Sequence, residues 1–168
     1  MKGRPAMHRL GRSPRKAPSS MRTLRDVEAY LERMPRRFSP VDDQPGTFFL
    51  HRREPFPPTV LRVDAPLVVM RVHVGEQPTE TGLRLEVFKR LLELNASDLV
   101  HASFGLEDEH IVLTAALELE NLDFNELQAT LDELDLTLGA YAYDAGAGAL
   151  REVETVPLLR TAAPAGST

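Results

Sequence analysis

One continuous stretch of the chain, Leu83 to Leu138, predicts a helix, a β-hairpin and a second helix in direct succession. Both ends of the stretch carry apolar residues at spacings of three and four, and its middle alternates apolar with polar residues in two runs joined by an acidic turn. These are the strongest periodic signals in the sequence. The stretch therefore predicts an α+β fold.

The first half of the chain predicts one helix and three strands. Apolar residues recur at helical spacing over residues 22–34, and Pro35 ends that helix. Runs rich in β-forming residues follow at Thr47–Arg52, Thr59–Val63 and Leu67–Val74. The predicted element order is therefore α-β-β-β-α-β-β-α, with an antiparallel sheet that helices cover on one face.

The second predicted helix, Leu83–Asn95, carries an unusually wide apolar stripe. The main members of the stripe are Leu85, Phe88, Leu91 and Leu92, and Val87 and Leu94 widen it. A stripe of this width predicts burial on more than one side, with the sheet on one side and a second subunit on the other.

The clearest hairpin joins strands predicted over Asp98–Leu106 and His110–Glu118. If Glu107 and Asp108 form its two-residue turn, His110 lies opposite Gly105. The third helix then opens with Asp123 as its cap and Glu126 three residues later. We expect this helix to continue through Tyr141 and Tyr143 and to end at the glycines that follow.

Charge is divided very unevenly along the chain. Residues 1–90 carry 18 Lys and Arg against 10 Asp and Glu, whereas residues 91–150 carry 13 Asp and Glu and no Lys or Arg. Such an acidic half disfavours nucleic acid as its partner, because phosphates would be repelled, and leaves two interpretations. One is a solubilising surface, and the other is a docking face for a basic partner segment.

Composition also limits the class of protein and its compartment. The chain contains no cysteine, which excludes disulfides, thiol catalysis and cysteine-ligated zinc, and fits a reducing, cytoplasmic environment. No apolar run approaches the roughly 18 residues that span a bilayer, and the basic N-terminal segment lacks an apolar signal core. We expect a disordered basic tail over 1–21, one domain over 22–145 and a flexible tail over 146–168. The basic 1–20 segment leaves two interpretations, an unfolded extension and a contact for nucleic acid or anionic lipid, and nucleic acid is not expected elsewhere.

Side chains capable of chemistry are present but do not form a recognisable site. His101 and His110 are predicted to lie about 13 Å apart on the hairpin, too far for one metal ion, and His51 and His73 are candidates to meet across neighbouring strands without a third ligand. The acidic turn lacks calcium-loop spacing, and Ser97 and Ser103 have no base in a catalytic motif. The sequence predicts no metal, no cofactor and no enzymatic activity.

Four short segments around the hairpin carry a family resemblance. They are the helix end with Leu91, Leu92 and Asn95, then Phe104-Gly105-Leu106, then Ile111-Val112-Leu113, and finally Leu122-Asp123 with Glu126-Leu127. In this pattern the chain resembles the bacterial YbjN-like and Tir/CesT-type secretion-chaperone superfamily. The resemblance implies the same α-β-β-β-α-β-β-α order and a non-enzymatic, acidic, often homodimeric protein that binds another polypeptide.

We therefore expect a chaperone-like or adaptor protein that holds a segment of a partner polypeptide and forms a homodimer. The expected apolar contacts are Phe88, Leu92, Val100, Phe104 and Leu113, and the acids expected to steer a basic segment are Glu118, Glu120, Asp132 and Asp135. The alternative is a structural or accessory subunit of a larger bacterial assembly that uses its charged tails as contacts.

Overall fold

The computed structural model describes residues 22–53, 56–144 and 149–152 of the 168-residue chain. Its elements, in chain order, are α1 (Leu24–Arg33), β1 (Phe38–Pro40), β2 (Thr47–Leu50), β3 (Thr59–Asp64), β4 (Leu67–Glu76), α2 (Thr81–Ser97), β5 (Ala102–Glu107), β6 (His110–Glu118), α3 (Phe124–Ala140), β7 (Tyr141–Asp144) and β8 (Ala149–Glu152).

Six of the strands form one antiparallel sheet in the order β1-β2-β3-β4-β6-β5, and β7 pairs with β8 separately. The long strand β4 lies inside the sheet, between β3 and β6, and β1 and β5 form the two edges. This arrangement confirms the predicted α+β class with an antiparallel sheet.

One face of the sheet builds the core. In β4, Val68, Met70 and Val72 are fully buried, while Arg71 and His73, which alternate with them, are exposed. The same alternation in β6 buries apolar residues that join those of α1, α2 and α3 in a single hydrophobic cluster. The helices thus cover one face, as the alternating sequence predicted.

The edge strand β1 precedes the first strand that the sequence predicts, Thr47–Arg52, and was not predicted. Phe38 pairs with Leu50 in register and packs edge-on against Phe48, with 6.0 Å between the ring centroids. A three-residue strand that ends at Pro40 is too short to show alternation, and proline is tolerated there because an edge strand leaves one side unpaired.

The prediction that α3 runs on through Tyr141 and Tyr143 is wrong. The helix ends at Ala140, and both tyrosines belong to β7, in which Tyr141 lies opposite Glu152 of β8. Alternating aromatic residues favour a strand, and that preference prevails here over the helical period. Strand β8 falls within the segment predicted as a flexible tail. The predicted 1–21 tail, Gly146, Gly148 and residues 153–168 lie outside the described residues.

Helix ends follow capping rules. The Asp123 side chain accepts a hydrogen bond from Glu126 N over 2.8 Å at the start of α3, as predicted. Helix α2 begins earlier than predicted because Glu80 caps it, accepting from Gly82 N and Leu83 N. A β-carbon at Gly82 would lie 3.0 Å from Glu80 Oε1, so glycine leaves room for this cap.

The β5–β6 hairpin has its turn one residue later than predicted. Glu107 lies opposite His110, and Asp108 takes a φ of 52° in the turn, a conformation that aspartate tolerates. Gly105 therefore faces Val112 rather than His110. The shift places His110 beside His73, with 4.4 Å between the ring centroids. The prediction that His51 and His73 meet is wrong, because β3 lies between β2 and β4 and His51 Nε2 lies 3.0 Å from Ser39 Oγ instead.

Candidate protein-binding site

Helix α2 has two apolar faces. Val87, Leu91 and Leu94 are buried against the sheet, whereas Leu85 and Leu92 are 63% and 68% exposed. The predicted main stripe divides between the two faces: Leu91 is buried, whereas Leu85 and Leu92, together with half-buried Phe88, form an outer row at spacings of three and four. The helix therefore presents apolar side chains to its surroundings.

A groove runs between this outer row and the edge strand of the sheet. We call it the α2–β5 groove, and it has a volume of about 230 Å³. Its lining is mostly apolar and consists of Phe88, Leu91, Leu92, Asn95, Phe104, Gly105 and Leu106. Leu106 is 49% exposed at its rim, so a partner would find both a recess and protruding apolar side chains.

The polar member of the lining, Asn95, binds the outer edge of β5. Its Nδ2 donates to Phe104 O over 3.0 Å, and Phe104 N donates to its Oδ1 over 2.8 Å. The carboxamide thereby takes both backbone hydrogen bonds that a neighbouring strand would make at Phe104. The sequence suggested only a helix-terminal asparagine, because nothing local to the helix shows which strand it reaches.

Glu133 of α3 binds the backbone of the segment that leads into β5. Its carboxylate accepts hydrogen bonds from the backbone N–H groups of Val100, His101 and Ala102 at 2.8–3.3 Å, and it lies 2.9 Å from His101 Nδ1. Burial raises the pKa of Glu133, but these hydrogen bonds outweigh it and hold the pKa below its usual value. The carboxylate is therefore charged at neutral pH.

Together these side chains close much of the β5 edge to strand addition. A free edge normally offers its N–H and C=O groups to a further strand, and proteins block such edges to avoid unwanted pairing. In β5, Glu133 accepts from the N–H of Ala102, and Asn95 binds both the N–H and the C=O of Phe104; Glu133 also binds the N–H groups of Val100 and His101 just before the strand. The apolar side chains of the α2–β5 groove remain accessible beside these blocked backbone groups.

The structure brings together three of the five predicted apolar contacts. Phe88, Leu92 and Phe104 all line the groove. Val100 is 80% exposed in the connection before β5 and is not part of the lining. Leu113 is fully buried in β6 opposite Phe104, so its side chain has no access to a partner.

The four predicted acidic contacts separate into two pairs. Glu118 and Glu120 are exposed near the end of β6. Asp132 and Asp135 are engaged within the chain: Arg36 lies 3.0 Å from each, and Arg52 lies 3.0 Å from Asp135. The arginines that pair with these two aspartates thus come from the first half of the chain. The two aspartates are therefore not free to steer a partner.

The described residues offer neither a metal-binding cluster nor a membrane-spanning helix. Residues 22–53, 56–144 and 149–152 contain no cluster of three or more His, Asp or Glu side chains arranged to hold a metal ion. Over the same ranges, none of the helices has the length and apolar character required to cross a membrane.

Comparison with known proteins places the chain in a family. The CesT_Tir_1 family model matches residues 20–145. YbjN from E. coli has a similar structure, with a TM-score of 0.53 and 13% identity over 71% of this chain and 89% of that one. The ExoU–SpcU heterodimer of the Pseudomonas aeruginosa type III secretion system gives a TM-score of 0.49 and 22% identity over 59% of this chain and 82% of that one. No curated protein matches. The resemblance inferred from the sequence is confirmed, and the chain belongs to the CesT_Tir_1 family.

Proposed function

We propose that this chain is a non-enzymatic, chaperone-like protein that holds a segment of a partner polypeptide in the α2–β5 groove. The observation that carries the proposal is the apolar groove itself, flanked by exposed Leu92 and Leu106. Membership of the CesT_Tir_1 family supports a protein-binding chaperone role and a role without catalysis.

Burial of the exposed leucines supplies the driving force for such binding. Covering a fully exposed leucine contributes about 1.5–3 kcal/mol, so covering Leu92, which is 68% exposed, contributes on the order of 1–2 kcal/mol. Since each 1.4 kcal/mol or so changes affinity about tenfold, two or three such contacts support a reversible complex.

The partner segment binds through its side chains. Strand addition requires free edge N–H and C=O groups; in β5, Asn95 already uses both groups of Phe104, and Glu133 uses the N–H of Ala102. An apolar residue of the partner enters between Phe88 and Phe104, and Leu92 covers it from outside.

Charge contributes to the encounter and less to the final affinity. Exposed Glu118 and Glu120 favour a partner segment with basic residues, and such rim charges act mainly on the association rate. A homodimer and a cytoplasmic location are further parts of this proposal, supported by family membership and by the absence of cysteine.

Affinity capture from the native host tests the proposal with two matched variants. Leu92→Asp places a charge in the groove, while Leu136→Asp places the same charge on α3, at a leucine of similar exposure (64%) outside the groove. We expect wild type and Leu136→Asp to retain the same partner protein and Leu92→Asp to lose it. Equal retention by both variants would contradict the role of the groove.

A further inference from the structure

A second cavity lies where the C-terminal end of α1, the end of β2 and helix α3 meet. It has a volume of about 390 Å³, within the usual range of ligand sites. Three arginines line it, Arg36, Arg52 and Arg53, together with the aspartates Asp132 and Asp135. We call it the arginine cavity. Its described lining residues include one more arginine than carboxylates.

Two of the three arginines are fixed in place by α3. Arg36 contacts both aspartates at 3.0 Å, and the Arg52 Nε lies 3.0 Å from Asp135 Oδ1 while its Nη2 donates to Asp135 O over 3.1 Å. These contacts leave the side chains of Arg36 and Arg52 only 14% and 8% exposed. The guanidinium groups are therefore held rigidly before any ligand arrives.

Hydrogen-bond donors remain unused in this cavity. Arg52 Nη1 is buried and meets no acceptor among the described residues, and Asp135 Oδ1, an ion-pair contact of Arg52 Nε at 3.0 Å, likewise makes no hydrogen bond there. Arg53 is exposed at the cavity wall, and the described part of the chain gives it no ion-pair partner. A buried donor without an acceptor is costly, and an arginine prefers a planar oxyanion that accepts two hydrogen bonds at once.

We propose that the arginine cavity binds the carboxylate of an acidic side chain from a peptide segment. The excess positive charge selects an anion, and Arg53 is available to meet it. Apolar Met34 and Phe56 also line the cavity, with Phe56 stacked 5.2 Å from the Arg52 guanidinium carbon, so an aliphatic stem below the carboxylate is accommodated. A bare inorganic ion would leave that apolar wall uncovered.

This site is independent of the α2–β5 groove. Strand β2 is next to one edge of the sheet and β5 forms the other, with β3, β4 and β6 between them. At about 4.8 Å per strand the two sites lie on the order of 19 Å apart across the sheet. Failure of one assignment therefore leaves the other standing.

The test is a titration of the ¹⁵N-labelled full chain, followed by nuclear magnetic resonance. The probes are the tripeptide acetyl-Ala-Glu-Ala-amide, its Gln counterpart and inorganic phosphate. We expect the Glu peptide to shift the Nε–H signals of Arg36 and Arg52 and the side-chain amide of Gln128, which also lines the cavity. The Gln peptide lacks the charge and should bind about tenfold more weakly or worse.

Two arginine variants test whether the Glu peptide binds in the arginine cavity. Arg53→Ala should weaken the Glu peptide about fivefold, the size expected for one exposed charge contact. Arg37→Ala removes an equal charge from an exposed neighbour outside the cavity lining and should leave the affinity unchanged. Equal binding of the Glu and Gln peptides, or equal weakening by both variants, would overturn the proposal. Phosphate saturating the same signals at least as tightly as the Glu peptide would also overturn it, in favour of a small-anion site.

Discussion

Asn95 and Phe104 exchange two hydrogen bonds, one from the Asn95 amide to the Phe104 carbonyl and one from the Phe104 N–H back to Asn95 Oδ1, over 3.0 and 2.8 Å. This pair joins the last turn of α2 to the outer edge of β5. It holds the two walls of the α2–β5 groove at a fixed separation and at the same time blocks the strand edge.

Replacing Asn95 by Ala should lower the free energy of unfolding by about 1–2 kcal/mol, because both hydrogen bonds to a part-buried backbone are lost. Urea unfolding measures this change. Asn125→Ala is the control, since Asn125 is an exposed asparagine of α3 and should change stability by no more than about 0.5 kcal/mol. Equal effects of the two substitutions would show that the Asn95 contact does not stabilise the fold.

The role of Asn95 shows where sequence reasoning stops. The sequence placed it correctly at the end of α2, since helix periodicity is a local signal. Its partner Phe104 lies in β5, beyond the connection that follows α2. No local sequence pattern predicts the path of that connection. The same holds for Asp132 and Asp135, which looked uncompensated because their partners Arg36 and Arg52 are distant in sequence.

The carboxylate of Glu133 should make stability depend on pH. Its pKa is lowered in the folded protein, so its contribution is fully present above the ordinary value near 4.5 and is lost as pH falls through the folded pKa. Glu133→Gln should therefore cost about 1–3 kcal/mol at pH 7, and the difference from wild type should shrink at pH 3.

Urea unfolding of wild type and Glu133→Gln at several pH values measures that difference. A gap between the two proteins that stays constant from pH 7 to pH 3 would contradict the assigned hydrogen bonds to Val100, His101 and Ala102. Glu120→Gln is a suitable control, because Glu120 is an exposed acid outside the helices.

Asp135 should matter more for stability than Asp132. Asp135→Ala leaves Arg52 buried without its carboxylate, and we expect a loss of about 2–3 kcal/mol, less than for a fully buried pair because Asp135 is 35% exposed. Asp132 is 53% exposed and contacts only Arg36, so Asp132→Ala should cost less than about 1 kcal/mol. Thermal or urea unfolding separates the two, and a larger loss for Asp132→Ala would contradict this arrangement.

Which of the two apolar faces of α2 packs on the sheet could not be predicted from the sequence either. Six apolar residues identified the helix, but hydrophobicity alone did not show that Val87, Leu91 and Leu94 face the sheet while Leu85 and Leu92 do not. Which residues face the sheet depends on how the helix is rotated about its axis. The cap of Glu80 at the start of the helix and the attachment of Asn95 to β5 at its end fix this orientation.

Glu118 and Glu120 should affect how fast a basic partner associates. Replacing both with Gln should lower the association rate several-fold at low salt and leave the dissociation rate nearly unchanged, because exposed charges are screened and act at a distance. Stopped-flow or surface-based kinetics at two salt concentrations measures this for the captured partner. A changed dissociation rate with an unchanged association rate would place these acids inside the complex instead.

Photo-crosslinking in the native host tests the central claim most directly. A benzoyl-phenylalanine introduced at Leu92 lies at the α2–β5 groove, and one introduced at Leu136 lies at an equally exposed position on α3 outside the groove lining. We predict a discrete adduct with another polypeptide from position 92 and none from position 136. Adducts of equal yield from both positions, or none from position 92, would contradict the claim that this groove holds a partner.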